Sequence, residues 1–143
     1  MKFTAPKRQI KRVFIHCSAS DNPAHDDVSI IKQWHLAKTP PWKDVGYHFY
    51  IKKDGTIQTG RNIEVTPAAQ AGHNTGTIAI CCGGLKDFPA RQMNSLVELC
   101  DAINEAIAGV TFHGHCEVEP NKTCPVFPYK DILDLDSNGR MTP

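Results

Sequence analysis

Five short segments of the chain have the hydrophobic pattern of β-strands. The runs 12–17 and 77–82 are almost entirely apolar, which is typical of strands buried on both faces of a sheet. The segment 47–52 is rich in aromatic and β-branched residues, and a Lys-Asp-Gly-Thr turn joins it to 57–59, which predicts a hairpin. A last strand is expected at 110–112.

Three further segments predict helices. Apolar residues recur every three or four positions between 89 and 108, which indicates an amphipathic helix, and the glycine that follows suits its end. A second helix is expected from Asp26 or Asp27, either of which can cap it, to about Lys38, where a Thr-Pro-Pro stretch stops it. A short helix is expected at 129–135.

Length and composition place the chain among ordinary globular domains. Its 143 residues can bury a real core, and 41% of them are hydrophobic and 22% charged. No repeat or linker interrupts the sequence, and strands alternate with helices. We therefore predict the α/β fold class, as a single domain over 1–143 with a central mixed β-sheet flanked by helices.

The balance of charge limits the partners of this domain. Sixteen basic and fifteen acidic residues give a net charge of +1, which argues against a nucleic-acid surface. No secretory signal and no apolar stretch of transmembrane length is recognised, so we expect synthesis in the cytoplasm and no membrane insertion. Action outside the cytoplasm then needs a separate export route. An exposed apolar stripe is not evident either, which favours a monomer.

Six cysteines are present, and most are expected to be reduced, buried side chains. A chain of this size does not need disulfides for stability. The adjacent Cys81 and Cys82 would point to opposite faces of a strand, which suits two separate burials. Cys124 is the exception, because its position makes it a candidate metal ligand.

Three residues from separate parts of the chain could hold a catalytic metal. His16 lies near the end of the first strand, His115 follows the last strand, and Cys124 comes nine residues later. Structural zinc sites close four positions with short-spaced pairs, whereas three ligands leave one position for water. Imidazole and thiolate together favour zinc. The spacing also admits His113 in place of His115, or histidines and a buried cysteine that bind no metal at all.

Four sequence blocks carry a family resemblance. They are 13–20 (VFIHCSAS), 46–61 (with GYHF, DGT and GR), 72–78 (with GHN and TI) and 114–125 (with GH and KTCP). In this order they resemble the zinc-dependent N-acetylmuramoyl-L-alanine amidases, a superfamily that includes phage lysozyme-like amidases and peptidoglycan recognition proteins. The resemblance covers about residues 12–127 and is strongest to the single-domain phage endolysins.

The resemblance implies an activity and the residues that carry it. The enzyme would hydrolyse the amide bond between N-acetylmuramic acid and L-alanine of bacterial peptidoglycan, with one Zn²⁺ per chain held by His16, His115 and Cys124 in a surface groove. Tyr47 and Lys122 would complete the active site. A positive charge at Lys122 suits the oxyanion of the tetrahedral intermediate, and the Tyr47 hydroxyl suits proton transfer to or from the attacking water or the leaving nitrogen.

Two positions depart from the family pattern. Some branches have a glutamate as general base where this chain has Cys81, so proton transfer is expected to fall to the tyrosine and the lysine. Phage relatives often have a histidine shortly before the Gly-x-Asn block, and we expect Gln70 to replace it as a substrate contact. His73 and Asn74, in the same loop, are also expected to bind substrate.

The other histidines have weaker assignments. His48 would point away from Tyr47 and pack, His35 would be structural beside Trp34, and His25 would face solvent in a polar loop.

Two other functions are compatible with the sequence. One is a peptidoglycan-binding module without catalysis, which has no need of a metal. The other is a thiol hydrolase that uses Cys17 or Cys116 with a neighbouring histidine. For the hydrolase, the setting expected from the phage resemblance is an endolysin that reaches the wall through a holin-made lesion. A secreted toxin or a recycling enzyme would use the same residues.

Overall fold

The central element of the fold is a five-stranded mixed sheet. The computed structural model describes residues 1–39, 41–42 and 44–141. Its strands lie in the order β3-β2-β4-β1-β5, and only β3 runs antiparallel to its neighbour. The predicted α/β class with a mixed sheet is confirmed. The strands are β1 (Arg12–Cys17), β2 (Phe49–Ile51), β3 (Ile57–Thr59), β4 (Thr77–Cys82) and β5 (Thr111–Gly114).

Within the described residues, three α-helices accompany the sheet, namely α1 (Val28–Leu36), α2 (Ala90–Ala106) and α3 (Tyr129–Ile132), with short 3₁₀ turns at Pro23–His25 and His115–Glu117. Asp27 caps α1, since its Oδ1 accepts a hydrogen bond from the Ser29 amide at 2.9 Å. The helix ends at Leu36, two residues before the predicted end at Lys38. The predicted proline stop includes Pro40, which lies outside the described residues.

Strand boundaries differ from the prediction near the site. The last strand runs over Thr111–Gly114 rather than 110–112, because it pairs in parallel with β1 up to Ile15 opposite Gly114. The segment 47–52 contributes only Phe49–Ile51 as strand, which leaves Tyr47 in the preceding loop.

The two faces of the sheet bury two apolar clusters. Helix α2 covers the larger cluster, which includes Val13, Ile15, Ile78, Ile80 and Cys82 from the strands. Ile31 of α1 packs on the opposite face, against Tyr50 and Cys81. The adjacent cysteines therefore face opposite sides, as predicted, and all six cysteines are free thiols.

The carboxyl ends of the four parallel strands meet along one edge of this sheet. In open α/β sheets, ligands bind in the crevice outside this edge. His16 lies in β1 one residue before its end, and His115 follows β5 directly. Within the part of the chain that the structure describes, no helix is both long and apolar enough to cross a membrane.

Candidate active site

His16, His115 and Cys124 form a cluster at the carboxyl edge of the sheet. One nitrogen or sulfur atom from each lies within 4.8 Å of those of the other two. The pairing of Ile15 with Gly114 places the two histidines next to each other, and their ring centroids are 4.5 Å apart. Among the described residues, this is the only group of three or more histidine, cysteine or acidic side chains that could share one ion.

The approach to His115 requires a glycine. A Cβ atom at Gly114 would lie 2.6 Å from Cε1 of the Tyr129 ring, which packs directly against this backbone. Glu117 holds the same turn, because its Oε2 accepts from the Gly114 amide at 2.8 Å and from the Tyr129 hydroxyl. The close packing of the Tyr129 ring against residue 114 therefore explains why a glycine precedes His115.

Cys124 reaches the cluster from the loop that follows β5. Its Sγ accepts a hydrogen bond from the Cys17 amide at 2.8 Å, so a backbone donor points at the sulfur. The adjacent Cys17 thiol and burial raise the pKa of Cys124, and the Cys124 side chain lowers the pKa of Cys17 to about 7. A bound cation would reverse the first effect, since a coordinating thiol loses its proton.

Each histidine of the cluster has a second polar neighbour. His16 Nε2 lies 2.9 Å from Oε1 of Gln70, and His115 Nε2 lies 2.9 Å from Oε1 of Glu119. Metal-binding histidines commonly have such a partner on the other ring nitrogen, which leaves Nδ1 of both rings for an ion. His16 is only 1% exposed, and burial, followed by the charge of His115, lowers its pKa to about 3. The ring is therefore neutral, as a metal ligand must be.

The donor set fits zinc. Two imidazoles and one thiolate are the ligand types that zinc prefers, and hard cations such as magnesium prefer oxygen. Three protein ligands also leave a position open, which is typical of catalytic zinc sites.

His113, the alternative ligand, is held elsewhere. Its ring lies 5.4 Å from that of Phe14, and its nitrogens contact Thr111 Oγ1 at 2.7 Å and Glu117 Oε1 at 3.0 Å. The structure thus places His115 in the cluster, whereas His113 lies within β5 and is not part of the cluster.

A groove of about 360 Å³ opens over the cluster. Tyr47 and Lys122, the two predicted catalytic residues, line it together with His115 and Cys124. The remaining walls are formed by Cys17, Ser18, Ala19, Leu85, Asn121, Thr123 and Val126. Of these wall residues, the sequence offered only Cys17 as a functional candidate, because isolated small, polar or apolar loop residues carry no recognisable pattern.

Tyr47 presents a neutral phenol to this groove. Its ring centroid lies 5.1 Å from that of His16. Burial, with further contributions from nearby cysteines, raises the pKa of Tyr47 well above its usual value. Cys81 is fully buried, and burial raises the pKa of its thiol as well, so it provides no base at the end of β4.

Lys122 is exposed at the rim of the groove. Its backbone amide donates to the Glu119 carbonyl at 2.9 Å, which fixes the turn that carries it. The His115 contact, and to a lesser extent the charge of Lys122, lower the pKa of the Glu119 carboxyl. The rim therefore carries the cationic Lys122 beside the groove and the Glu119 carboxylate beside His115.

The three predicted substrate contacts do not line the groove. Gln70 is fully buried, so the prediction that its side chain touches substrate is wrong. The Asn74 Oδ1 accepts from the amides of Ala69 and Gln70, each at 3.0 Å, and so stabilises its own loop. His73 is half-buried, and its carbonyl lies 3.3 Å from Gln70 Nε2.

The other histidines are structural. His35 Nδ1 accepts from the Gly46 amide at 2.8 Å, and His48 Nδ1 accepts from the Ala79 amide at 3.1 Å. Both are buried, as predicted for packing residues. His25 was expected to face solvent, but it is half-buried, because its ring packs edge-on against Trp34 with centroids 5.0 Å apart.

Known proteins are similar to this chain in sequence and in fold. The family model of N-acetylmuramoyl-L-alanine amidases matches residues 6–127. The endolysin of Escherichia phage T7 is 38% identical over 126 residues, with 82% of each chain covered. The endolysin of Enterobacteria phage T3 is 36% identical over 133 residues, covering 87% of this chain and 86% of the relative.

Solved structures agree with the sequence comparisons. The N-acetylmuramoyl-L-alanine amidase LysC from Clostridium intestinale URNW superposes with a TM-score of 0.77 at 26% identity, over 94% of this chain and 93% of that one. The resemblance in sequence and the architecture thus converge on one family. With a cluster of two histidines and one cysteine in an open groove, this chain belongs to the N-acetylmuramoyl-L-alanine amidases, a family that is generally zinc-dependent.

Proposed function

We propose that this chain is a phage-type endolysin that cleaves the amide bond between N-acetylmuramic acid and L-alanine, using one zinc ion bound by His16, His115 and Cys124. The observation that carries the proposal is that two members of this cluster, His115 and Cys124, line one groove together with Tyr47 and Lys122. A binding module needs a groove but has no need of an open metal site.

The overall reaction adds water across the amide bond. The hydroxyl joins the carbonyl carbon of the muramyl lactyl group, the C–N bond breaks, and the proton goes to the L-alanine nitrogen. When bound, zinc supplies an acidified water, with a pKa near 7, and a Lewis acid for the carbonyl oxygen. The residues of the chain must then hold the substrate, stabilise negative charge and move the proton.

Lys122 is the residue that stabilises negative charge. Its ammonium group is carried on the rim of the groove, on the same loop as the metal ligand Cys124. A fixed positive charge beside a developing oxyanion stabilises the transition state more than the neutral amide of the substrate. The contribution of Lys122 should therefore appear in turnover.

Tyr47 is the residue that moves the proton. Because its phenol is neutral, it cannot act as a preformed base, but it can pass its own proton to the leaving nitrogen while accepting one from the attacking water. This relay leaves Tyr47 unchanged after the reaction. It also assigns no chemical step to Cys81, whose buried thiol is neutral.

The similarity to phage endolysins supports action on the cell wall of a bacterial host. The enzyme would reach the wall through a holin-made lesion or another export route. We propose that it acts as a monomer on peptidoglycan. Light scattering of the purified chain at working concentration tests the monomer directly, since a dimer would double the measured mass.

The deciding experiment is mass spectrometry of purified peptidoglycan after incubation with the protein, with and without a chelator. Stem peptides with a free L-alanine amino end, formed only without the chelator, are the expected result. Intact peptidoglycan despite bound zinc would favour the binding module. Cleavage that survives the chelator would instead indicate a thiol mechanism.

A further inference from the structure

Gln70 contacts a proposed metal ligand from inside the protein. Its side chain is fully buried between His16 and the start of β4, and its Oε1 lies 2.9 Å from His16 Nε2. We propose that Gln70 is a positioning residue that fixes the ring orientation of His16 and keeps its proton on Nε2, so that Nδ1 faces the metal. The metal in this statement is the zinc of the proposed function.

The hydrogen bond between Thr77 and the backbone carbonyl of Asn74 fixes the direction of the other hydrogen bonds in this series. The Asn74 carbonyl oxygen can only accept, so the Thr77 hydroxyl, 2.7 Å away, must donate to it. The Thr77 oxygen is then free to accept from Gln70 Nε2 at 2.9 Å. The His73 carbonyl, 3.3 Å from the same nitrogen, is a second acceptor.

These contacts determine which end of the amide faces His16. Both neighbours of Gln70 Nε2 are acceptors, so the amide nitrogen belongs on that side, and the amide oxygen belongs on the side of the histidine. An amide oxygen cannot donate, so the hydrogen bond to His16 requires a proton on Nε2. A neutral imidazole has one ring proton, so Nδ1 retains its lone pair.

The amide is itself held in place by its loop. The Gln70 backbone amide donates to Asn74 Oδ1 at 3.0 Å, and that carboxamide oxygen also accepts from the Ala69 amide. His16 is therefore connected through one buried side chain to a hydrogen-bonded loop. A loop of this kind has few alternative conformations, which limits rotation of the imidazole.

The second ligand histidine has a different partner. Glu119, beside His115, keeps 31% of its side chain exposed and provides a charged acceptor. Gln70, by contrast, is 0% exposed. An ionised carboxylate at this buried position would lose its hydration. A neutral amide provides the same acceptor for His16 without that cost. The two histidines thus have different neighbours: a charged carboxylate at the surface beside His115, and a neutral hydrogen-bond acceptor in the interior for His16.

Replacing Gln70 with methionine tests the proposal, because it keeps the length of the side chain and removes all its hydrogen bonds. Zinc affinity, measured by competition with a chromogenic chelator, should fall about 10- to 100-fold. In the metal-free protein, ¹⁵N NMR of the imidazole should show His16 protonated at Nε2 in the wild type. In Gln70→Met, the proton should be distributed over both nitrogens.

Gln92→Met is the matched control. Gln92 is also 0% exposed, and its Nε2 donates to the carbonyls of Ile51 at 3.0 Å and Gly83 at 2.8 Å. It contacts no ligand of the proposed metal. This variant should lose a similar amount of stability while zinc affinity and the His16 tautomer remain as in the wild type.

A second pair of variants covers the case in which Gln70→Met does not fold. Thr77→Val keeps the shape of the side chain but removes the hydroxyl, whereas Thr77→Ser retains it. Zinc affinity should fall in the valine variant and stay near the wild-type value in the serine variant. Equal affinity in both would contradict the chain of hydrogen bonds.

The outcomes separate this inference from the proposed function. A wild-type chain that binds no zinc would overturn the proposed metal site, and the tautomer of metal-free His16 would still test the role of Gln70. If the wild type binds zinc but Gln70→Met has the same affinity and a single Nε2 tautomer, the positioning role is refuted.

Discussion

His16 and His115 stand side by side at the ends of adjacent parallel strands, with ring centroids 4.5 Å apart. The pairing of Ile15 with Gly114 sets this relationship, because the next residue along each strand is a histidine. Two imidazolium ions this close would repel each other, and His115 contributes to the lowered pKa of His16. A metal ion bound by both neutral rings would relieve this repulsion, and replacing the third proposed ligand tests for it.

Cys124→Ala should remove the metal. Two histidines alone bind zinc weakly, so affinity should fall by at least about 100-fold and cleavage should be lost with it. Metal content of the purified variant, measured by plasma mass spectrometry, gives the result. Cys116→Ala is the control, because Cys116 is a half-buried thiol from the same region that packs against the main core. Stoichiometric zinc in Cys124→Ala would contradict the ligand assignment.

Lys122→Ala should reduce turnover while zinc content stays at one per chain. The loss of a charge beside the oxyanion is expected to lower kcat by about 100- to 1,000-fold. Release of free stem peptides per unit time measures this. Lys122→Arg retains the charge and should recover part of the rate, and Lys11→Ala, at an exposed position away from the groove, should have no effect. Zinc loss in Lys122→Ala would make the residue structural.

Tyr47→Phe should lower kcat by about 100-fold or more and leave zinc bound, because only the hydroxyl that relays the proton is removed. Because the pKa of Tyr47 is raised, the phenol should stay protonated as the pH rises just above neutral. Its deprotonation should therefore not lower the wild-type rate in that range. The pH–rate profile and the rate of the variant test these two statements. A variant with wild-type turnover would assign proton transfer to another group.

Motifs and local patterns predicted much of this structure. β3 and β4 have the predicted boundaries, since the Asp-Gly turn and a fully apolar run are local signals. The three candidate metal ligands came from motif blocks, and the structure brings their side chains together. The last strand was displaced because its end depends on pairing with β1, which is not encoded in its own residues.

The role of Gln70 could not be predicted from the sequence. Its place where phage relatives often have a histidine suggested contact with substrate, yet burial at 0% exposure depends on how its loop folds back on β1 and β4. The same applies to His25, whose ring packs against Trp34 of a neighbouring segment. Contacts between distant segments decide burial, and single-sequence patterns contain little information on them.

His48 is a buried histidine that should make the stability of the folded protein sensitive to acid. Its Nδ1 accepts from the Ala79 amide, so a proton on that nitrogen would face a backbone donor. Its Nε2 lies 2.7 Å from the Val65 carbonyl. Burial lowers the pKa of His48 to about 4, and the nearby Arg8 guanidinium acts in the same direction. His35 has the same arrangement, with its Nδ1 accepting from Gly46, and its pKa is also lowered to about 4.

The folded protein should therefore lose stability as the pH falls from about 6.5 to 4. In this window the unfolded chain binds protons at these histidines and the folded chain does not, so each depressed pKa favours unfolding on acidification. For His48 the effect is on the order of 3 kcal/mol at most. Thermal unfolding of the metal-free protein should show Tm falling across this window. His48→Asn, which cannot titrate there, should start from a lower Tm but show a shallower slope, and equal slopes would mean that His48 is not a source of the acid sensitivity.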